Sequence, residues 1–130
     1  MIVVDASAVI EVLLGTSASG PLAARLFADG ETLHAPSLLD VEVLQVMRRY
    51  ERTGTISTVR GAEALEDLTA FSITRYPHQA LMSRMWELRH NVTAYDGAYL
   101  ALAEALAAPL VTRDAKLASA PGHRARIVLV

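Results

Sequence analysis

Hydrophobic positions along the chain follow two periods. Short runs in which nearly every residue is apolar or β-branched alternate with longer stretches in which apolar residues recur every three to four positions. The short runs are read as strands over 2–4, 32–35, 72–76, 110–112 and 127–130. The longer stretches predict helices over 7–14, 22–28, 38–52, 58–71, 79–89, 94–107 and 115–119. Turn chemistry sets their limits: a GTSASGP loop over 15–21, Asp29-Gly30, Thr53-Gly54, Pro77 and Pro109. Strand 72–76, stopped by Pro77, is expected at a sheet edge. This β-α-β alternation with uniformly apolar strands predicts an α/β fold, a parallel sheet with helices on both faces. A chain of 130 residues is read as one domain, 1–130, without repeats or linkers.

Composition narrows the classes. A hydrophobic fraction of 52% and mean hydropathy of +0.30 exclude disorder. The formal net charge of −2 gives no basis for wholesale electrostatic capture of nucleic acid, so an anionic substrate has to be held by local groups. Without cysteine there is no disulfide framework, thiolate metal site or cysteine nucleophile. Asp5 and Glu11 interrupt the start where a signal peptide needs a cationic, then apolar, run. No apolar run approaches the ~18–20 residues of a membrane span. A cytoplasmic protein with no membrane partner is expected.

Four acids stand out once the elements are placed. In open parallel α/β sheets, sites form beyond the carboxyl ends of the strands at a topological switch point. Asp5 ends the first strand, Asp114 follows the strand 110–112, Asp96 lies in the first turn of helix 94–107, and Glu42 lies early in helix 38–52. Each has a structural use as well. Asp5 suits a turn, with Ser7 placed to cap the helix. Asp96 forms a capping-box-like pair with Thr93, and Asp114 suits a helix cap. Glu42 is harder to explain that way, because it sits on the shoulder of an apolar stripe of Leu39, Val43, Val46 and Tyr50. Asp40, by contrast, pairs with Ser37 as a cap.

Carboxylates converging on a partly dry crevice repel one another unless a cation lies among them. All-oxygen ligation suits Mg²⁺ or Mn²⁺. His34, His78, His90 and His123 lack zinc-ligand spacing and receive no role. A hard cation held by acids serves phosphoryl transfer to water, with no protein nucleophile required. Ser7 and Thr112, two positions from Asp5 and Asp114, are candidates to orient water or a phosphate oxygen.

The chain resembles the PIN domain family, and within it the VapC-type toxins of bacterial toxin–antitoxin pairs. The resemblance rests on the apolar strand into Asp5-x-Ser7, SLLDVE (37–42), TAYDGAYLALA (93–103) and PLVTRDAKLA (109–118). It implies a three-layer α/β/α sandwich on a five-stranded, mainly parallel sheet, and a Mg²⁺- or Mn²⁺-dependent endoribonuclease. It also implies Asp5, Glu42, Asp96 and Asp114 as both metal ligands and catalytic residues. Two departures are visible. Gly97 stands where the family often has Ala, and Lys116-Leu117 follow Asp114 where some relatives carry a further acid. The second departure suggests one metal held mainly by Asp5 and Asp96, with another arriving with substrate.

By the same resemblance the substrate is structured RNA, tRNA or rRNA, cut in a loop whose unstacked bases a crevice can reach. Arg113, Lys116 and Arg49 are expected to hold its backbone. The partner is a VapB-type antitoxin. The toxin is expected to form a homodimer, and a heterotetramer or larger assembly with the antitoxin. Ile10, Leu13, Leu14, Leu22, Leu26 and Phe27 supply apolar surface for the core or for an antitoxin helix. Met82, Met85 and Trp86 do the same for the core or for a dimer contact.

The alternative within the fold is a PIN-type nuclease or RNA-binding module outside a toxin–antitoxin pair. A haloacid-dehalogenase phosphatase needs a second Asp where Ser7 stands. A phosphoacceptor receiver needs an acidic pair and a terminal Lys that the chain lacks. A vestigial acidic pocket is disfavoured by the cost of burying four carboxylates without use.

Overall fold

The computed structural model describes residues 1–17 and 19–130. Strands β1 (Ile2–Val4), β2 (Leu33–Pro36), β3 (Ile73–Tyr76), β4 (Leu110–Thr112) and β5 (Ile127–Leu129) form one sheet in the order β3-β2-β1-β4-β5. Every neighbouring pair is parallel, so the sheet is wholly rather than mainly parallel. β1, β2 and β4 are buried along their whole length, which explains why they are mostly apolar, with His34 and Thr112 the buried polar exceptions. β3 lies at an edge, as the proline after it predicts.

The helices are α1 (Ala6–Leu14), α2 (Ser19–Leu26), α3 (Leu38–Arg52), α4 (Thr58–Ala70), α5 (Met82–Glu87), α6 (Ala94–Leu106) and α7 (Ala115–Ala118). α1, α3 and α4 pack against one another on one side, and α2 packs on α1. α6 lies across β1, β2 and β4 with α5 against it, completing the sandwich. Residues 97–103 of α6 are all buried, which is why that helix reads as hydrophobic all round. No single helix among the described residues is long and apolar enough to cross a membrane.

Several local expectations are corrected. The predicted helix 79–89 is a 3₁₀ turn over Gln79–Leu81 followed by the short α5, ending before Leu88. α2 begins at Ser19, inside the expected loop 15–21, whose Ala18 lies outside the described residues. The buried stripe of α3 is Leu39, Val43 and Met47, with Val46 and Tyr50 only partly covered. Of the apolar residues considered for an antitoxin groove, Ile10, Leu13, Leu22 and Leu26 are core, and Leu14 is partly covered against it. Phe27 is half exposed and meets Phe71 edge to face at 5.3 Å.

The helix caps also differ from expectation. Ser7 does not cap α1; Asp5 does, accepting from the Ala8 N–H at 3.1 Å. Nor do Ser37 and Asp40 form a cap. Ser37 Oγ donates to the Tyr76 carbonyl at 3.2 Å, and Asp40 takes a two-pronged contact from Arg75 at 2.7 and 2.8 Å. The free N–H of Leu38 is met instead by His78 Nε2 at 3.0 Å, so this histidine, given no role from sequence, serves the start of α3.

Candidate active site

The strand order reverses direction between β1 and β4. From β1 the chain builds outward through β2 to β3, then returns to lay β4 on the other side of β1. The register Val3↔Leu110 and Val4↔Val111 brings Asp5, the next residue of the first strand, level with Thr112. The connections that leave the carboxyl ends of β1 and β4 run to opposite parts of the sheet, so Asp5 stands at a topological switch point. Helices α1, α3, α6 and α7 all begin on this edge, because each runs back antiparallel to the strands. Asp5 and Asp114 are the N-caps of α1 and α7, Asp96 is in the first turn of α6, and Glu42 is in the second turn of α3.

Asp5 is buried and held on three sides. Ser7 Oγ donates to Oδ1 at 2.6 Å, the Thr112 hydroxyl donates to Oδ2, and the Ala8 N–H completes the set. These hydroxyls also accept backbone N–H groups from the β4–α7 turn. Ser7 Oγ takes Arg113 N at 2.9 Å, and Thr112 Oγ1 takes Asp114 N at 2.9 Å. Ser7 and Thr112, candidates for orienting water or phosphate, thus commit their protons to Asp5 and lace it to the turn that carries Asp114. Glu42 is half-buried and accepts a 2.6 Å hydrogen bond from Tyr99 Oη. Asp114 accepts the N–H groups of Lys116 at 2.9 Å and Leu117 at 3.4 Å. The Asp96 N–H is capped by Thr93 at 3.2 Å, as the sequence pattern predicts.

The acids feel one another. Burial pushes the Asp5 carboxyl above its ordinary 3.8 against the pull of Ser7, Thr112 and Ala8, and the charge of Asp114 pushes it further. Burial raises Glu42 above 4.5, opposed by Tyr99 and reinforced by Asp5 and Asp96. Asp96 is raised by burial, then by Asp114 and Asp5. Among the described residues no ion pair involves any of the four.

These four oxygen donors, unpaired with protein cations, have the chemistry a hard divalent ion requires. As the side chains stand, no group of three or more His, Asp or Glu among the described residues closes tightly enough to grip an ion. Carboxylates gathered at one edge repel one another, a repulsion that a cation between them would relieve. The Gly97 departure fits as well: a Cβ there would meet Met85 Cα at 3.6 Å, an ordinary contact, so glycine and alanine are interchangeable in space.

Two hollows flank the acids. One, of about 610 Å³, runs between α1 and α3 and is lined by Ser7, Ile10, Glu42, Arg49, Tyr95 and Arg113 among others. The other, of about 640 Å³, is shallower and holds Asp96, Lys116, Arg89, His90 and Asn91. Of the candidate backbone-binding cations, Arg113 is steadied by Glu11 at 3.2 Å, Arg49 lies over the Tyr50 ring at 5.6 Å, and Lys116 is exposed. Arg49 and Arg113 thus border the first hollow and Lys116 the second.

The PIN domain profile matches residues 2–122. The chain belongs to the PIN domain family. Its VapC-type character follows from relatives such as Ribonuclease VapC12 of Mycobacterium tuberculosis, 42% identical over 130 residues, covering 100% of this chain and 99% of that one. Among solved structures, Mycobacterium tuberculosis VapC20, titled a Sarcin-Ricin loop cleaving toxin, superposes with a TM-score of 0.68 at 16% identity, covering 92% of this chain and 94% of that one. VapBC2 from Rickettsia felis, bound to a DNA fragment from its promoter, gives a TM-score of 0.68 at 17% identity, covering 98% of both chains. At those identities the structural likenesses establish the PIN fold alone.

Sequence reasoning missed three residues of this site. Tyr99 stands three positions after Asp96 on one helix face, a spacing that signals a neighbour. Tyr95 precedes Asp96 and lies exposed on the lip. Glu11, which steadies Arg113, carries no sequence signal, because the pairing spans 102 residues.

Proposed function

We propose that this PIN domain, residues 1–130, is the toxin of a type II toxin–antitoxin pair and a Mg²⁺- or Mn²⁺-dependent endoribonuclease. The observation that carries the reading is that Asp5, Glu42, Asp96 and Asp114 lie at the carboxyl edge of the sheet, three of them with carboxyls raised by burial and by one another's charge, and that among the described residues none is in an ion pair. The VapC ribonuclease relatives supply the reaction class. A divalent ion bound by these four would stabilise negative charge on the scissile phosphodiester and make the attacking water more acidic.

The chain's own residues do the rest. Ser7 and Thr112 fix Asp5 in one orientation, and Tyr99 fixes Glu42. Arg113, Arg49 and Lys116 supply local positive charge for RNA phosphates beside a site that would otherwise repel them. The substrate is a loop of structured RNA, tRNA or rRNA, in keeping with the ribosomal loop named for VapC20. A VapB-type antitoxin is the partner, in keeping with the Rickettsia felis pair. The toxin works in the cytoplasm as a homodimer, and in a larger assembly with the antitoxin.

The test couples metal binding to cleavage. Mn²⁺ is expected to raise the melting temperature of the wild type, and that rise should vanish in Asp5→Asn. RNA cleavage should fall at least about a hundredfold in Asp96→Asn, the scale on which loss of a charge-organising group acts, while the fold is kept by circular dichroism. Cleavage at wild-type rate in Asp96→Asn, or equal Mn²⁺ stabilisation of both proteins, refutes the assignment.

A further inference from the structure

The chain spends few aromatics: two Phe, four Tyr and one Trp in 130 residues. Of the tyrosines, Tyr99 is buried, and Tyr50 and Tyr76 are partly covered against the core. Tyr95 is 60% exposed. Among the described residues its hydroxyl has no hydrogen-bond partner, so neither packing nor polar contact accounts for an aromatic there. Its position is specific. It occupies the first turn of α6 immediately before Asp96, and it lines the same hollow as Glu42, Ser7 and Arg113.

The hollow has two characters. Much of its lining is apolar, with Ile10, Leu38, Val41 and Val46. Its rim is cationic where Arg49 and Arg113 stand. Of the two acids in it, Glu11 is neutralised by Arg113, and Glu42 belongs to the carboxylate group already described. An apolar slot with an exposed ring at one wall and guanidinium groups at its border suits a flat base whose phosphate stays at the edge. The exposed ring beside two guanidinium groups matches the paired base and phosphate of a nucleotide, a combination that a purely apolar helix does not offer.

We propose that Tyr95 is a substrate-positioning residue: its ring stacks on the base next to the scissile phosphate and seats that nucleotide in the hollow between α1 and α3. This rests on the ribonuclease reading above and deepens it. The acids carry the chemistry whatever the base, and Tyr95 makes the site read nucleobases as well as phosphates. A stacked base also fixes the register of the strand, so that one phosphate is presented to the acids.

The test uses three single-stranded 12-nucleotide RNA probes, oligo(A), oligo(U) and a fully abasic ribose-phosphate strand, with the full-length protein in EDTA so that no cleavage occurs. Wild type is expected to bind at least one base-bearing strand about tenfold or more tighter than the abasic strand, the scale of one lost stack. Tyr95→Ala should abolish that preference and leave abasic binding unchanged. Tyr95→Phe and Tyr95→Trp should retain it. With a 2-aminopurine in the strand, wild type should quench its fluorescence on binding and Tyr95→Ala should not.

A base preference that survives Tyr95→Ala overturns the inference and leaves the hollow to a protein segment. So does equal weakening of all strands, the mark of a merely structural tyrosine. If wild type binds and cleaves RNA but never prefers base-bearing strands, the inference falls alone. If wild type neither binds nor cleaves RNA, the ribonuclease reading falls and takes this one with it.

Discussion

Helix α6 carries an acid near each end, Asp96 in its first turn and Glu104 near its last, and their surroundings are opposite. The helix dipole by itself favours an anion at the first turn and disfavours one at the last. The carboxyls depart from their ordinary values the other way: Asp96 is raised, by burial and by the charges of Asp114 and Asp5, and Glu104 is lowered, chiefly by its hydrogen bonds with Arg84. Arg84 grips both oxygens of Glu104 at 2.8 and 3.0 Å, and the Arg124 N–H adds a contact at 2.7 Å. Burial and nearby acids at one end, and a guanidinium partner at the other, set the carboxyls against the backbone field. Glu104 is paired with a protein cation, whereas among the described residues none of the four acids at the carboxyl edge of the sheet is in an ion pair. That contrast is the physical basis for expecting an external cation there.

The largest effect is expected at the satisfied end. Glu104→Gln keeps the shape but removes the charge that Arg84 is built around, and Glu104 is only 8% exposed. Unfolding by urea should show a loss of about 3 kcal/mol, the lower end of the range for breaking a buried pair, because Glu87 still reaches Arg84 at 2.9 Å. Its pH signature follows from the lowered carboxyl. The stability Glu104 gives is complete above 4.5 and is lost as pH falls through its lower folded value. The gap between wild type and Glu104→Gln should therefore close in acid.

At the other end both signs reverse. Asp96 is more easily protonated folded than unfolded, so its charge weighs against the fold as pH rises through 3.8 and its higher folded value. In EDTA, Asp96→Asn is expected to melt higher than wild type by a few tenths to about 1 kcal/mol of stability, the scale of like-charge relief. The gap should widen from pH 4 to neutrality, and Mn²⁺ should reverse it by stabilising wild type alone. A metal-free Asp96→Asn that melts lower than wild type at pH 7 would mean that Asp96 serves the fold and would break the contrast.

Much of this was legible in the chain. The five strands and the edge position of β3 follow from apolar runs and Pro77, because a strand buried on both faces leaves little room for polar residues. Asp5, Asp96 and Asp114 could be placed at one edge because strand ends and helix starts are read locally. What failed depended on contacts distant in sequence. Asp40 looked like a cap partner of Ser37, but Arg75, 35 residues away, claims it. Ser7 looked like the cap of α1, but its hydroxyl turns to Asp5. The single helix read over 79–89 is a 3₁₀ turn and a six-residue α5 ending at Glu87, a break that the apolar spacing does not show.

Tyr99→Phe sharpens the comparison inside the site. The phenol is buried and donates to Glu42, and burial with the charge of that carboxylate pushes its own ionisation upward, so it stays a donor. Removing the hydroxyl is expected to cost about 1.5–3 kcal/mol, the net worth of a hydrogen bond to a charged group. Mn²⁺ affinity should fall several-fold by calorimetry as Glu42 loses its orientation. If Mn²⁺ affinity held while stability fell, Tyr99 would belong to the core and not to the acids.

An effect as small as that at Asp96 is expected at Asp40, which lies between the two extremes. It has a well-formed partner, with Arg75 bridging both oxygens, but the side chains are 37% and 29% exposed. An exposed pair of good geometry is worth up to about 1 kcal/mol and is screened by salt. A double-mutant cycle on Asp40→Asn and Arg75→Gln should give a coupling of that size at low ionic strength, shrinking in about 1 M salt, where the Debye length is about 3 Å. RNA cleavage should not change. A coupling above about 2 kcal/mol that ignores salt would put Asp40 with Glu104, among acids that hold the fold. A change in cleavage with stability intact would extend the active site along α3 beyond Glu42. Either result would redraw the line between acids that have a protein cation and acids that await one.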